Sequence, residues 1–530
     1  MRPDTPADPP RLLLSLIGAL RADLRDARYT AERVEELLGP VAARALRRED
    51  PVPARRVLAS LSNPAATLLS LFSLGSRVPA SEVSRALPRL GVEGAVRLGI
   101  LAIVPGTDAP ARPTGDHAPT ADEVACALVE LAPYAAQDDR GSIHWWIASD
   151  LSELATGAAL GADHVLGVGG ASLTLARITP RSEVDRVLDV GCGSGIQALH
   201  AGRHAREVVA VDLSERALAF AAFNAALNEV ELELRHGSLL DPVLGEQCDL
   251  IVSNPPFVIT PRGPGEQERW TYRDGGLAGD TLLGELLAAL PAHLAPGGTA
   301  VMLGNWERSG TEDWDAHPRR WTEPAREAGV DCWVIQREAE DPAQYAATWA
   351  RDGGITPRDE RWDELIQGWL ADFASRDVQE IGFGYVLLHR PPASSRPGLL
   401  RTEQVTGTGS GTLAVHLERG LRVLDQLEGL TDEQLLASRP RRAADLMERR
   451  HLVPGAWDPT LIELVQGAGF ARTVPADQVL AATVGALDGT LTLGQTVAAV
   501  CALTGDDPEQ ARERRLPVIR ELLIIGMLEP

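Results

Sequence analysis

The segment Val184–Asp212, VDRVLDVGCGSGIQALHAGRHAREVVAVD, constrains the fold of this 530-residue chain more than any other stretch. A strand-forming apolar run (Val187, Leu188, Val190) ends in a turn with glycine at 191, 193 and 195. A helical pattern follows, and a second apolar run, Val208 to Val211, ends in Asp212. This is the pattern of a βαβ unit. Glycine at the turn lets the backbone bend sharply and approach a ligand, and an acidic side chain about twenty residues on can accept both hydroxyls of a ribose. The unit is therefore expected to bind a nucleoside.

Glycine spacing narrows the ligand. A pyrophosphate-binding G-x-G-x-x-G turn would put its third glycine at Ile196, whereas here it comes one position earlier, at Gly195, and Asp189 precedes the turn. That argues against a dinucleotide. The tight G-x-G-x-G turn behind an acidic residue resembles the first motif of class I S-adenosylmethionine-dependent methyltransferases. The resemblance implies S-adenosylmethionine as cofactor, with its methionine part against Asp189, Gly191, Gly193 and Gly195 and its ribose at Asp212. It also implies adenine beside Ser238 and Leu239, although many relatives carry an acidic residue where this chain has Ser238. The segment His164–Pro180, with Gly169, Gly170 and Ser172, resembles the turn and helix that close over the cofactor in this group.

A second motif follows. Asp249 to Phe257, DLIVSNPPF, is an apolar strand ending in Asn254-Pro255-Pro256-Phe257. Two prolines cannot continue a central strand, so they form a stiff loop at its carboxyl end, where open α/β sheets bind ligands. The groups of this loop suit a planar NH2, whose lone pair is delocalised and poorly nucleophilic. If the Asn254 side-chain carbonyl and the Pro255 backbone carbonyl each accept one of its hydrogens, the nitrogen can pyramidalise, and Phe257 can stack on the planar group. A sulfonium is already an activated electrophile, so no strong base is needed. The quartet resembles the NPPY/F signature of amino-methyltransferases that act on glutamine side chains of proteins or on exocyclic amines of adenine and guanine. The resemblance spans about residues 165–392 and implies that Asn254, Pro255, Pro256 and Phe257 form the catalytic corner. The Gly- and charge-rich segment from Ile259 to Asp280 resembles the group's substrate-facing loop, with Tyr272, Arg273 and Asp274 as candidate substrate contacts.

Strands are expected near 232–242, 297–306, 331–338 and 381–390, completing a seven-stranded α/β methyltransferase core, Rossmann-like, over residues 165–392. Before it come a helical or winged-helix-like domain (1–110) and a linker with a strand hairpin (111–164), in which Trp145 and Trp146 face opposite sides and one is core. Residues 393–530 read as a second helical or winged-helix-like domain. A helix, a glycine and a short apolar strand (AVRLGILAIVP) recur at the carboxyl end (PVIRELLIIGMLEP). The Trp-rich helical stretch 340–375 is expected to be core.

Apolar residues make up 44% of the chain, but no run is long enough for a membrane span. The polar, proline-rich start carries no export signal, and the five cysteines lack CxxC spacing, so a reducing, cytoplasmic setting is expected and a zinc site is not. His200 and His204 have metal-ligand spacing on a helix expected to be half-exposed, and no third ligand is evident nearby, so no metal is expected; Asn224 is expected at a surface or cap. The chain has no lysine and a formal charge of −23, which disfavours long-range attraction to phosphate. Arg439, Arg441, Arg442, Arg449 and Arg450 could form a local basic patch, though a solvated face is the commoner outcome for such residues. The expected function is methyl transfer to the side-chain amide of a protein or peptide. Exocyclic-amine methylation of RNA, then DNA, is the alternative, and an inactive cofactor-binding or nucleic-acid-binding regulator a further one.

Overall fold

The two apolar runs around the glycine turn form the middle of one large sheet in the computed structural model, which describes residues 7–105, 123–157, 160–161, 163–261, 279–392 and 396–530. Strands β1 (Val184–Val190) and β2 (Ala205–Asp212) are parallel neighbours. β3 (Glu233–His236) continues the parallel ladder beyond β2, and β4 (Cys248–Ser253) and β5 (Leu294–Ser309) continue it beyond β1. β7 (Val378–His389) runs antiparallel between β5 and β6 (Asp331–Glu340). The order is β3-β2-β1-β4-β5-β7-β6-β8, the last being Leu400–Gln404. Alternate side chains fill two cores: Leu188, Val190, Ile251 and Met302 lie in one cluster, and Val187, Val208, Leu250 and Val301 in another. That is the burial expected of a central sheet covered on both faces.

The sheet has eight strands, not seven. The extra one, β8 (Leu400–Gln404), lies past residue 392 in the Pro/Ser/Gly-rich stretch and pairs in parallel with the edge of β6. Its sequence, LRTEQ, has no apolar alternation because its residues are half-buried or exposed; backbone pairing holds it.

Helices α1 (Gly170–Ile178), α2 (Ile196–Ala201) and α3 (Glu215–Asn228) flank the glycine turn. Before the core, a helix over Pro64–Leu68 leads to a strand at Val78–Pro79, helices at Ala80–Ala86 and Gly91–Leu98, and strands at Leu101–Val104 and Val124–Ala127. The Val124–Ala127 strand is central in this three-stranded antiparallel sheet. Gly99, left-handed at φ 77°, ends the second helix as its position predicts. A hairpin of Glu130–Asp138 and Gly141–Ser149 then carries the two tryptophans. Trp146 is buried and donates from Nε1 to the Tyr29 carbonyl at 2.6 Å, while Trp145 stacks on Tyr134.

The carboxyl-terminal part is less helical than its sequence suggests. Among its helices lies an antiparallel sheet of Leu446–His451, Leu461–Gln466 and Thr473–Ala476, and Arg441–Arg442 pairs with Leu528–Glu529. Five of the six residues of Leu446–His451 are exposed, so no in-out alternation marks that strand. Several of the arginines here are engaged locally: Arg442 with the Gly485 carbonyl, Arg449 with Glu463, Arg450 with Glu448. In the 340–375 stretch Trp369 is buried with Tyr345 and Phe373, as expected.

Candidate active site

Four neighbouring strands end level with one another. Val190 of β1 pairs with Val211 of β2 and with Ser253 of β4, and Asp212 pairs with His236 of β3. With strands about 4.8 Å apart, the glycine turn, Asp212, the 237–239 turn and Asn254 all leave the same edge of the sheet. Ser253 Oγ donates to the Val190 carbonyl at 2.9 Å, tying two of these ends together.

The three glycines do different work. Gly191 (φ 73°) and Gly193 (φ 53°) have no atom within 4 Å of where a Cβ would stand, so their outer side is open. Gly195 (φ 84°) faces inward, where a Cβ would come 3.0 Å from that of Ala221 in α3. Asp212 fixes the turn by accepting the Gly193 N–H at 2.9 Å and the Ser214 N–H at 2.8 Å. Burial outweighs those donors and raises its carboxyl above the usual range. Asp189 is fully buried below the turn and accepts the Ala198 N–H of α2 at 2.9 Å; burial lifts it to about 7.

The Gly237 N–H reaches the Asp212 carbonyl at 3.1 Å, which sets Ser238, exposed, and Leu239, at φ 45°, beside the end of β2. Next to Asp212, Leu213 is 65% exposed, an apolar surface at this rim that the sequence reading missed. Gly169 caps α1, and the Ser172 carbonyl accepts from Gln197 of α2 at 2.7 Å, so this segment docks beside the glycine turn.

At the end of β4, Asn254 Oδ1 is buried and has no hydrogen-bond partner among the described residues. Pro255 is buried; Pro256 and Phe257 are half-buried. The last two line a small space with Val258, Gly279, Asp280, Leu282, Leu283 and Asn305. Tyr272, Arg273 and Asp274 lie outside the described residues. Asn305, Asp280 and Tyr345 were not foreseen, since polar residues inside or at the ends of apolar segments give no periodic signal.

Two expectations are corrected. Asn224 is fully buried, not a surface or cap residue: its Oδ1 accepts the Ala148 N–H at 2.7 Å, and its Nδ2 donates to the carbonyls of Ala148 and Ser194, each at 2.9 Å. It thus joins α3, the tryptophan hairpin and the glycine turn. All of α2 is buried rather than half-exposed. His200 Nε2 bonds the Tyr134 hydroxyl at 2.8 Å, and His204 Nδ1 lies 3.0 Å from the Ser182 carbonyl. Burial lowers the two histidines to about 3 and about 4.

The edge so built is that of a nucleoside-binding α/β protein, and comparison with known proteins gives the class. Residues 167–263 match the methyltransferase small domain, and residues 26–111 match a domain of unknown function, DUF7059. A release factor glutamine methyltransferase of Xylella fastidiosa is 37% identical over 142 residues, 25% of this chain and 51% of that protein. A ribosomal protein uL3 glutamine methyltransferase of Bradyrhizobium diazoefficiens is 31% identical, covering 28% of this chain and 50% of that one. A ribosomal RNA small subunit methyltransferase C of Alcanivorax borkumensis is 30% identical, covering 23% and 33%. The chain thus spans about half the length of the glutamine-modifying relatives. A methyltransferase structure from Pyrococcus furiosus aligns over 40% of this chain and 77% of its own, at 16% identity and a TM-score of 0.24, too low to carry an argument. The chain contains a class I S-adenosylmethionine-dependent methyltransferase domain. The residues present fit that cofactor: open room over Gly191 and Gly193, a carboxylate at Asp212, and the apolar Leu213 beside it. Among the described residues no helix is long and apolar enough to cross a membrane.

Proposed function

We propose that this chain is an S-adenosylmethionine-dependent N-methyltransferase acting on a planar NH2, the side-chain amide of a protein or peptide, held at the Asn254–Phe257 corner. The observation that carries the reading is the Asn254 carbonyl oxygen, buried without a partner among the described residues, just past the end of the strand next to the glycine turn. A buried acceptor without a partner is costly, so a donor arriving with the substrate would be stabilised there.

Gly191 and Gly193 give the methionine part room, Asp212 takes the ribose hydroxyls, and Leu213 with Ser238 and Leu239 borders the adenine. Asp189 acts from below, bracing the turn through α2. When bound, the cofactor supplies an electrophilic methyl group on sulfonium. Asn254 Oδ1 and the Pro255 carbonyl accept the two amide hydrogens, and Phe257 supports the flat face. The nitrogen would gain the methyl as the sulfur–methyl bond breaks and leaves a neutral thioether, and would release one proton to water.

A net charge of −23 and glutamine-modifying relatives favour a protein acceptor over RNA or DNA. The helix-strand-helix-helix-strand-strand order over 64–127, with the last strand central, supports a winged-helix-like module before the core. The helix, left-handed Gly526 and strand at the other end repeat part of it. Such modules, flanking a core whose sheet runs past residue 392 to β8, would present a macromolecule to the corner in the cytoplasm.

The test is labelling of a cell lysate with methyl-labelled S-adenosylmethionine, followed by protease on one half and nuclease on the other. The reading predicts that protease destroys the labelled species and nuclease spares it. Label lost to nuclease instead would overturn the protein acceptor in favour of an exocyclic amine in RNA or DNA.

A further inference from the structure

Beside the space at Pro256 and Phe257 lies a second buried acceptor without a partner among the described residues. Asn305 sits on β5, three residues past Met302, which is the last residue of β5 paired with β4. Where β4 stops and its chain turns away as the proline loop, the β5 edge is left open, and Asn305 lines the space there. It is 1% exposed. Its Nδ2 donates to the Tyr345 hydroxyl at 2.7 Å, and that hydroxyl also receives the Ile259 N–H at 3.0 Å. Tyr345 is itself fully buried against Phe373 and Phe383, which fixes the position of the hydroxyl that the Asn305 amide bonds. The remaining atom, Oδ1, is buried and has no partner among the described residues.

Leaving such an oxygen without a donor costs free energy that a substrate N–H would recover. The side-chain groups lining this space are otherwise apolar, apart from the Asp280 carboxylate, which is held by the Glu307 N–H at 2.9 Å and by His317 Nδ1 at 2.6 Å. No described residue lining it is basic. Acceptors without a cation suit a peptide N–H and oppose a phosphate.

We infer that Asn305 is a positioning residue for the methyl acceptor: its Oδ1 takes the main-chain N–H of the residue whose side-chain amide enters the Asn254 corner. The inference rests on the amide reading above. In that reading both amide hydrogens are engaged by Asn254 and Pro255, so the N–H left to satisfy a further acceptor is that of the peptide backbone. The site thereby reads a peptide segment by two contacts, one to the reacting side chain and one to its backbone.

The test uses the lysate protein fraction that the wild-type enzyme labels, titrated as acceptor against the wild type, Asn305→Leu and Asn305→Asp, with S-adenosylmethionine affinity and thermal unfolding measured in parallel. Asn305→Leu should lower kcat/KM by about tenfold or more, mainly through KM, with cofactor affinity within twofold of wild type. Asn305→Asp keeps an oxygen at the same place and lets Tyr345 donate its own proton to the other one, so it should recover most of that loss. Equal kcat/KM for wild type and Asn305→Leu, or Asn305→Asp falling as far as Asn305→Leu, would overturn the role of Asn305 while leaving the amide reading intact. Absence of label from the protein fraction with wild-type enzyme would overturn both.

Discussion

At the scale of single residues, the glycine turn separates two effects that sequence alone runs together. Gly191 and Gly195 both have positive φ, where a side chain costs about 1–2 kcal/mol. Only Gly195 would also drive a Cβ against Ala221. Gly195→Ala should therefore lower the melting temperature more than Gly191→Ala, whereas Gly191→Ala, whose methyl enters open space, should weaken S-adenosylmethionine binding more per degree of stability lost. Calorimetry and cofactor titration of the two variants check this, and a reversed ranking would contradict it. Asp189 gives a pH effect. Its folded-state carboxyl is lifted to about 7 by burial, while the unfolded chain loses that proton near about 4. The stability it contributes is full below about pH 4 and is lost as pH rises through about 7. Asp189→Asn, which can still accept the Ala198 N–H, should flatten the fall in melting temperature across that window. An unchanged slope would assign it to another group, with Glu130, also raised to about 7 by burial, the first candidate. The positions of these residues were legible in the sequence because glycine and an acid at fixed offsets from a strand end have one backbone solution. The buried partnerships of Asn224 and Asn305 were not, because each depends on a strand or helix distant in sequence.

Among elements, α3 is the join between the glycine turn and the tryptophan hairpin. Asn224 carries that join through three hydrogen bonds, to Ala148 N, Ala148 O and Ser194 O. Asn224→Leu should destabilise the protein by about 2–4 kcal/mol. It should also raise hydrogen exchange in Gly141–Ser149 before it does so in β4 and β5, whereas uniform exchange across the sheet would contradict the local role. The apolar runs gave β1, β2, β4 and β5 directly from the sequence, since strands buried on both faces are written as continuous hydrophobic segments. β8 and the Leu446–His451 strand were illegible for the opposite reason: one is an edge held by backbone pairing, the other is exposed on both faces.

Over the whole molecule, the amino-terminal helices and the methyltransferase core share one hydrophobic cluster, in which Leu20, Leu24 and Phe72 pack with Phe220, Phe223 and Leu227 of α3. Arg21 and Arg25 reach Glu229 at the end of the same helix. One hydrophobic cluster thus crosses the domain division expected near residue 110. A chain starting at residue 123 should expose Phe220 and Phe223 and lose cooperative unfolding and solubility; a monodisperse, cooperatively folding product would contradict the shared core. Charge acts at this scale too. A net charge of −23 disfavours a broad positive face, and what the sequence left open, protein against nucleic acid, depends on local geometry at the proline corner.

The central claim is that Asn254 receives the acceptor and not the cofactor. Steady-state methyl transfer and S-adenosylmethionine affinity measured side by side on Asn254→Ala test it most directly. The account predicts that turnover falls at least about a hundredfold while cofactor affinity stays within about twofold of wild type. Loss of both together, or retention of turnover, would contradict it.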